Sequence, residues 1–109
     1  MTKVVFLADK GHINGFKISG HSSTDCEDQE GKIVCSAVSS AAYMAANTVT
    51  EIIGAKAKAT AADGAMHFEV CEECDKCLAV LKGFELHMTE LSKQYPQNIK
   101  VIYGGVKNA

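Results

Sequence analysis

No excess of positive charge runs through the 109-residue chain: eleven basic side chains stand against thirteen acidic ones, for a formal net charge of -2. A protein that grips a phosphate backbone needs a basic patch or stripe, so no direct contact with nucleic acid is expected. Long apolar runs are missing at the amino terminus. The stretch Val4-Val5-Phe6-Leu7-Ala8 is cut off by Asp9, too soon for a signal peptide or a bilayer span; no membrane is expected as a partner, and the cytoplasm is the expected location. An evenly paired cysteine framework is missing too. The five cysteines are odd in number, and three crowd into Cys71, Cys74 and Cys77, unlike the disulfide scaffolds of small secreted domains. Reduced thiols are expected. Internal repeats, low-complexity tracts and linkers are absent, so residues 1–109 read as one domain.

What is present is a chain that is 47% hydrophobic, enough for a core between two layers of secondary structure. Residues 3–8 form an apolar strand, Asp9 to Gly11 supply a turn, and residues 13–19 alternate as a returning strand. From His21 to Lys32 no apolar period exists, and this segment reads as a long loop. Loops of about 12 residues without structure of their own are uncommon and are often functional. From Val34 the period becomes helical: Val34, Val38, Ala41, Ala42, Ala45, Val49, Ile52 and Ile53 recur at three and four, and Gly54 stops the run. Residues 56–62 and 65–70 alternate about Asp63-Gly64, with Met66, Phe68 and Val70 on one face, which predicts a second hairpin. Leu78, Leu81, Phe84, Met88, Leu91 and Tyr95 space a second helix that Pro96 ends, and Ile99, Val101 and Tyr103 line a last strand. The expected fold is α+β, a two-layer sandwich of order ββαββαβ. Its sheet is largely antiparallel, with two helices on one face, and its last six elements suit a split βαβ arrangement. Strand order is left open.

Cys35 falls at the expected start of the first helix, where free backbone N-H groups and the positive end of the macrodipole favour a thiolate and an oxyanion. His21 stands at the other edge of the loop, just after the second strand and Gly20. An imidazole suits the exchange of a proton with a thiol and then with a leaving amine. The alternative is plain: a small buried cysteine and a surface histidine.

The segment Gly20-His21-Ser22, the polar loop, and Gly31-Lys32-Ile33-Val34-Cys35-Ser36-Ala37-Val38-Ser39 resembles the Prp family of ribosomal-processing cysteine proteases. The order of elements over nearly the whole chain fits the same resemblance. It implies a catalytic dyad of His21 and Cys35, with Gly20, Ser22 and Ser39 as substrate-binding positions. It also implies an endopeptidase that removes the amino-terminal extension of a large-subunit ribosomal protein, cutting after an aromatic-rich stretch. The precursor of that ribosomal protein is the expected substrate. Ser22 and Lys32 depart from the family pattern, which usually has a small apolar and an acidic residue there. The orienter of His21 is thus left among Asp25, Asp28 and Glu30, or dispensed with. Ser39 lies one helical turn from Cys35, either shaping the site or as an ordinary helix-surface serine. Such a dyad needs no metal and no cofactor, and none is expected; a homodimer is expected of so small an enzyme.

A rival reading starts from Cys71-Glu-Glu-Cys74-Asp-Lys-Cys77. This Cys-x2-Cys-x2-Cys spacing begins an iron-sulfur signature and suits a soft metal, which makes a metal or iron-sulfur binding module the alternative function. The fourth cysteine and the proline of the ferredoxin pattern are missing, and zinc would have to borrow a ligand from His67, His87 or Cys26. The simpler possibility is that Cys74 and Cys77, spaced i and i+3 near the second helix start, only pack there. His12, His67 and His87 are assigned no role.

Overall fold

A tight turn at Lys10-Gly11, both at positive φ (54° and 82°), folds strand β1 (Thr2–Asp9) back onto β2 (His12–Ser19) in antiparallel register. Two consecutive residues of this conformation match the right-handed twist of the flanking strands. The computed structural model describes residues 1–20, 29–62, 64–72 and 74–106. After β2 come helix α1 (Gln29–Asn47), continued by a wider π-type turn over Thr48–Ile53, then β3 (Ala57–Ala62), β4 (Ala65–Val70), α2 (Asp75–Gln94) and β5 (Ile99–Val106). The expected order ββαββαβ is therefore present.

The sheet has five strands in the order β3-β4-β2-β1-β5. Three neighbouring pairs are antiparallel, and β1 with β5 is parallel. Register puts Phe6 opposite Phe16 and Phe16 opposite Phe68, so these rings share one face. Both helices cover that face: Val34, Val38 and Ala42 of α1 and Leu81, Phe84 and Met88 of α2 join Val4, Phe6, Phe16, Phe68 and Ile99 in one buried cluster. Phe16 lies 4.5 Å from Phe84 and 5.5 Å from Phe68 between ring centroids. Burying a ring of this size stabilises the fold by roughly 1.5–3 kcal/mol. An extra residue in β2 at Asn14, where Leu7 pairs with Gly15 but Ala8 with Ile13, resets the alternation. Ile13 thereby turns to the helix face beside Phe16 and Ile18.

Gln29–Ile53 is long and apolar enough, by length and composition, to cross a bilayer. Its apolar stripe of Val34, Val38, Ala42, Ala45 and Val49 is instead buried in the core cluster, as in the core helix of a globular protein.

Two expectations for this helix are corrected. The helix begins at Gln29, not near Val34, so residues 29–32 are helical rather than loop. A first turn of Gln29-Glu30-Gly31-Lys32 carries no apolar period to betray it, while Glu30 suits the positive helix end. Ile52 is turned outward and is 80% exposed. The π-type turn advances each residue by less than an α-helix does, so Ile53 rather than Ile52 packs on the core. The hydroxyls of Thr48 and Thr50 donate to the carbonyls of Met44 and Ala46 at 2.7 and 3.2 Å, competing for the acceptors of a regular helix. Gly54, at φ 81°, ends the run and donates its N-H to Val49 O.

Gly15 sits where two strands come closest: a Cβ there would run into the carbonyl oxygen of Phe68 and lie 2.9 Å from Glu69 Cα. Both are backbone atoms of the adjacent strand and cannot rotate away. Gly15→Ala should lower unfolding stability by about 2–4 kcal/mol, measured by urea denaturation; a loss under about 0.5 kcal/mol would show that β2 and β4 can separate locally at no cost.

Candidate active site

Cys35 is the seventh residue of α1 and is half-buried. The expectation that it occupies the first turn is corrected with the helix start: the free amides belong to the first four helical residues, and the Cys35 amide lies beyond them. The helix end therefore offers Cys35 no oxyanion donors from its own backbone. What the helix does offer is a direction. Cys35, Val38 and Ser39 face a small cleft of about 90 Å³ between α1 and the sheet, whose other walls include Thr2, Ile18, Tyr43 and Met66. Cys35 and Ser39, four residues apart, open onto this cleft together, as their spacing predicts.

The cleft lies at one end of the sheet. Thr2 begins β1, Ala65 begins β4, and Ser19 at the end of β2 pairs with both Lys3 and Ala65. Gly20 follows at φ 63°, and a Cβ on it would lie 3.0 Å from the carbonyl oxygen of Met1. Gly20 is thus placed against the residue that precedes Thr2. His21, Ser22, Asp25, Cys26 and Asp28 lie outside the described residues; Glu30 is in the first turn of α1.

Thr2 was not singled out by its sequence position. It is 1% exposed, and its Oγ1 has no hydrogen-bond partner among the described residues. Its N-H donates to Asn98 O at 2.8 Å, which leaves the hydroxyl as the polar group it contributes to the cleft wall. A threonine at the start of an apolar strand gives no sequence signal of such a role. Only the convergence of β1, β2, β4 and α1 creates it.

The other described thiols are elsewhere. Cys71 follows β4 and is exposed, Cys74 caps the start of α2, and Cys77 is buried in its first turn. The Cys74 sulfur accepts the Cys77 N-H at 3.3 Å. Among the described residues no three His, Cys, Asp or Glu side chains converge as a metal ion requires. His67 is on β4, its Nε2 3.3 Å from Glu69 Oε1, and His87 is on α2, ten residues after Cys77; neither lines the cavity that Cys71, Cys74 and Cys77 border. The described part of Cys71–Cys77 thus gives the metal or iron-sulfur alternative no ligand cage.

The sequence matches the family described as cysteine protease Prp over residues 1–100. A comparison with curated proteins finds no match. Among solved structures, SMU.848 from Streptococcus mutans superposes with a TM-score of 0.85 at 20% identity, covering 96% of this chain and 98% of that one. The essential ribosomal processing protease Prp from S. aureus, in complex with a substrate peptide, does so with a TM-score of 0.85 at 18% identity, covering 95% of this chain and 100% of that one. The same protease with a covalently linked product peptide gives 0.82 at 19% identity, with coverage of 95% and 100%. These likenesses share the architecture of two helices on a five-stranded sheet, and the match over nearly the whole sequence decides the family. The chain belongs to the Prp family of cysteine proteases.

Proposed function

We propose that this protease removes the amino-terminal extension of a large-subunit ribosomal protein, with Cys35 as nucleophile and His21 as general base. The observation that carries the proposal is the opening of Cys35 onto a cleft at the sheet end where β2 delivers Gly20. The next residue in the chain is His21. One residue of reach from an anchored strand end supports the pairing of imidazole and thiol. The S. aureus neighbour is a ribosomal processing protease and was captured with a covalently linked product peptide. A covalent peptide adduct is what nucleophilic catalysis leaves behind.

In this reading His21 takes the Cys35 proton as the sulfur attacks the scissile carbonyl. The tetrahedral intermediate collapses to a thioester, and His21 returns the proton to the departing amine. Water, deprotonated by His21, then hydrolyses the thioester and frees Cys35. Ile18, Val38, Tyr43 and Met66 give the cleft apolar walls suited to an aromatic or aliphatic side chain near the cut. Gly20, Ser22 and Ser39 are the proposed peptide contacts, joined by the hydroxyl of Thr2, which has no partner among the described residues. Neither metal nor cofactor takes part, and the site of action is the cytoplasm, without membrane or direct nucleic-acid contact. The proposed working form is a homodimer; support comes from Ile33 and Met44 on α1, which are 58% and 69% exposed and could be covered by a second copy.

Incubation with a peptide spanning the amino-terminal extension of a ribosomal-protein precursor, followed by mass analysis, should show one principal cut. Cys35→Ala and Cys35→Ser should bind this peptide but lose on the order of 10³-fold or more in kcat/KM. His21→Ala should lose on the order of 10²–10⁴-fold; full cleavage by either class of variant would end the dyad assignment.

Thr2→Val removes a buried hydroxyl that has no partner among the described residues, while keeping nearly the same shape. Unfolding stability should hold or rise by about 1–3 kcal/mol, while peptide affinity falls. A drop in stability on thermal melting would mean that the hydroxyl is paired within the fold. Sedimentation equilibrium should give twice the chain mass, and a monomer at the concentration of the peptide assay would refute the dimer.

A further inference from the structure

At the end of the sheet away from Cys35, a cavity of about 350 Å³ opens between the β1–β2 turn and the start of α2. Asp9, His12, Cys71, Cys74 and Cys77 are among its lining residues. The two thiols at the helix start are unequal. Cys74 is the N-cap of α2, in extended conformation (φ -159°, ψ 112°), half-buried, with its sulfur turned back over the first turn to accept the Cys77 N-H at 3.3 Å. Cys77 is 2% exposed and lies one helical turn further on, with its backbone N-H on the Cys74 sulfur. A Cys-x-x-Cys pair in this geometry has its outer sulfur open to a reagent and its inner cysteine one helical turn away, with its amide on the outer sulfur. A single helical turn is the spacing across which the disulfide of a Cys-x-x-Cys motif closes.

We propose that Cys74 and Cys77 form a redox dithiol that exchanges with a low-molecular-weight disulfide entering this cavity. The Cys74 thiolate attacks one sulfur of the external disulfide, forming a mixed disulfide and expelling one thiolate. Cys77 then loses its proton and attacks the Cys74 sulfur, closing the Cys74–Cys77 bond and expelling the second thiolate. Two protein thiols are oxidised, one external disulfide is reduced to two thiols, and the two protons given up by the protein end on those products.

Electrostatics assigns the order of attack. The hydrogen bond from the Cys77 thiol, reinforced by the Cys77 and Lys76 amides, holds Cys74 below the usual thiol range. Burial first, then the hydrogen bond and the charge of Cys74, push Cys77 up to about 12. Once Cys74 is bound in a mixed disulfide its charge is gone and its acceptor role is weakened, so Cys77 becomes easier to ionise when its attack is due. Cys71 is exposed and follows β4 directly, where neither of these contacts reaches it.

The test uses the full wild-type chain in glutathione disulfide in excess over glutathione, quenched with acid, alkylated and mapped by mass spectrometry. The expected product has lost two hydrogens across a Cys74–Cys77 bond. Cys77→Ser should hold one glutathione on Cys74, Cys77→Ala should do the same, and Cys74→Ser should leave Cys77 unmodified. Brief alkylation of the reduced protein at neutral pH should label Cys74 roughly tenfold or more faster than Cys77. The proposal is overturned if the wild-type chain leaves Cys74 and Cys77 reduced, pairs either of them with Cys71, or takes up glutathione first at Cys77. The wild-type bond assignment needs no substitution, so a variant that fails to fold leaves the test decisive.

Discussion

The fold depends on the burial of Phe16 in the middle of the sheet. Its ring meets Phe68 on one neighbouring strand and Phe84 on α2, while Phe6 on the other neighbouring strand meets Phe84 at 5.8 Å. Three adjacent strands and the second helix are thereby held to one register. A slip of a single residue in any strand would turn its ring to the outer face and exchange an apolar contact for water. The next residue on that strand, Gly15, lets β2 and β4 approach to a distance no other side chain allows. Phe16 and Gly15 together decide where the central strand sits, and everything at its two ends follows.

With α2 committed to the aromatic rings, α1 covers the remainder of the same face through small side chains. Ala42 and Ala45 are buried between Val38 and Val49, which lets the helix lie close to its neighbours. Close packing fixes the helix in rotation as well as position, and rotation aims Cys35. With Val34 and Val38 buried, Cys35 is directed to the margin of the core, half-exposed, where the ends of β1, β2 and β4 leave a cleft. Cys35 is presented by a helix side rather than a helix end. In the proposed mechanism an oxyanion is stabilised by groups other than the amide of Cys35. The hydroxyl of Thr2, buried on the same cleft, has no hydrogen-bond partner among the described residues.

Opposite ends of one sheet hold their thiols in different surroundings. Cys35 stands beside a cleft of mixed polar and apolar lining, whereas Cys74 and Cys77 share a hydrogen-bonded arrangement at the beginning of α2. The two sites belong to different helices, and the aromatic core lies between them. Burial keeps Cys77 protonated while its thiol and amide stabilise negative charge on Cys74. A pair of cysteines that sequence spacing leaves between metal ligation and plain packing thus acquires a polarity from its position on the helix.

Much of the chain was legible from local pattern. Alternation around Asp63-Gly64, the helical spacing from Leu78 to Leu91, the stop at Gly54 and the break at Pro96 each involve residues within a few turns of one another, and the elements they predict are present. The Gly20-His21 and Val34-Cys35-Ser36 motifs were likewise readable, and they carried the family resemblance that the match over residues 1–100 shows. Polar sequence hid the first turn of α1, and the widened turn at Thr48–Ile53 shifted the phase that Ile52 was expected to follow. What tertiary structure alone decided is non-local: the strand order β3-β4-β2-β1-β5, the parallel pairing of β1 with β5, and the burial of Thr2 beside Cys35. Periodicity reports which face of an element is apolar, because that is set by neighbours in sequence. Which elements meet across that face is set by the closest packing of all side chains at once, and no short window of the chain contains that information.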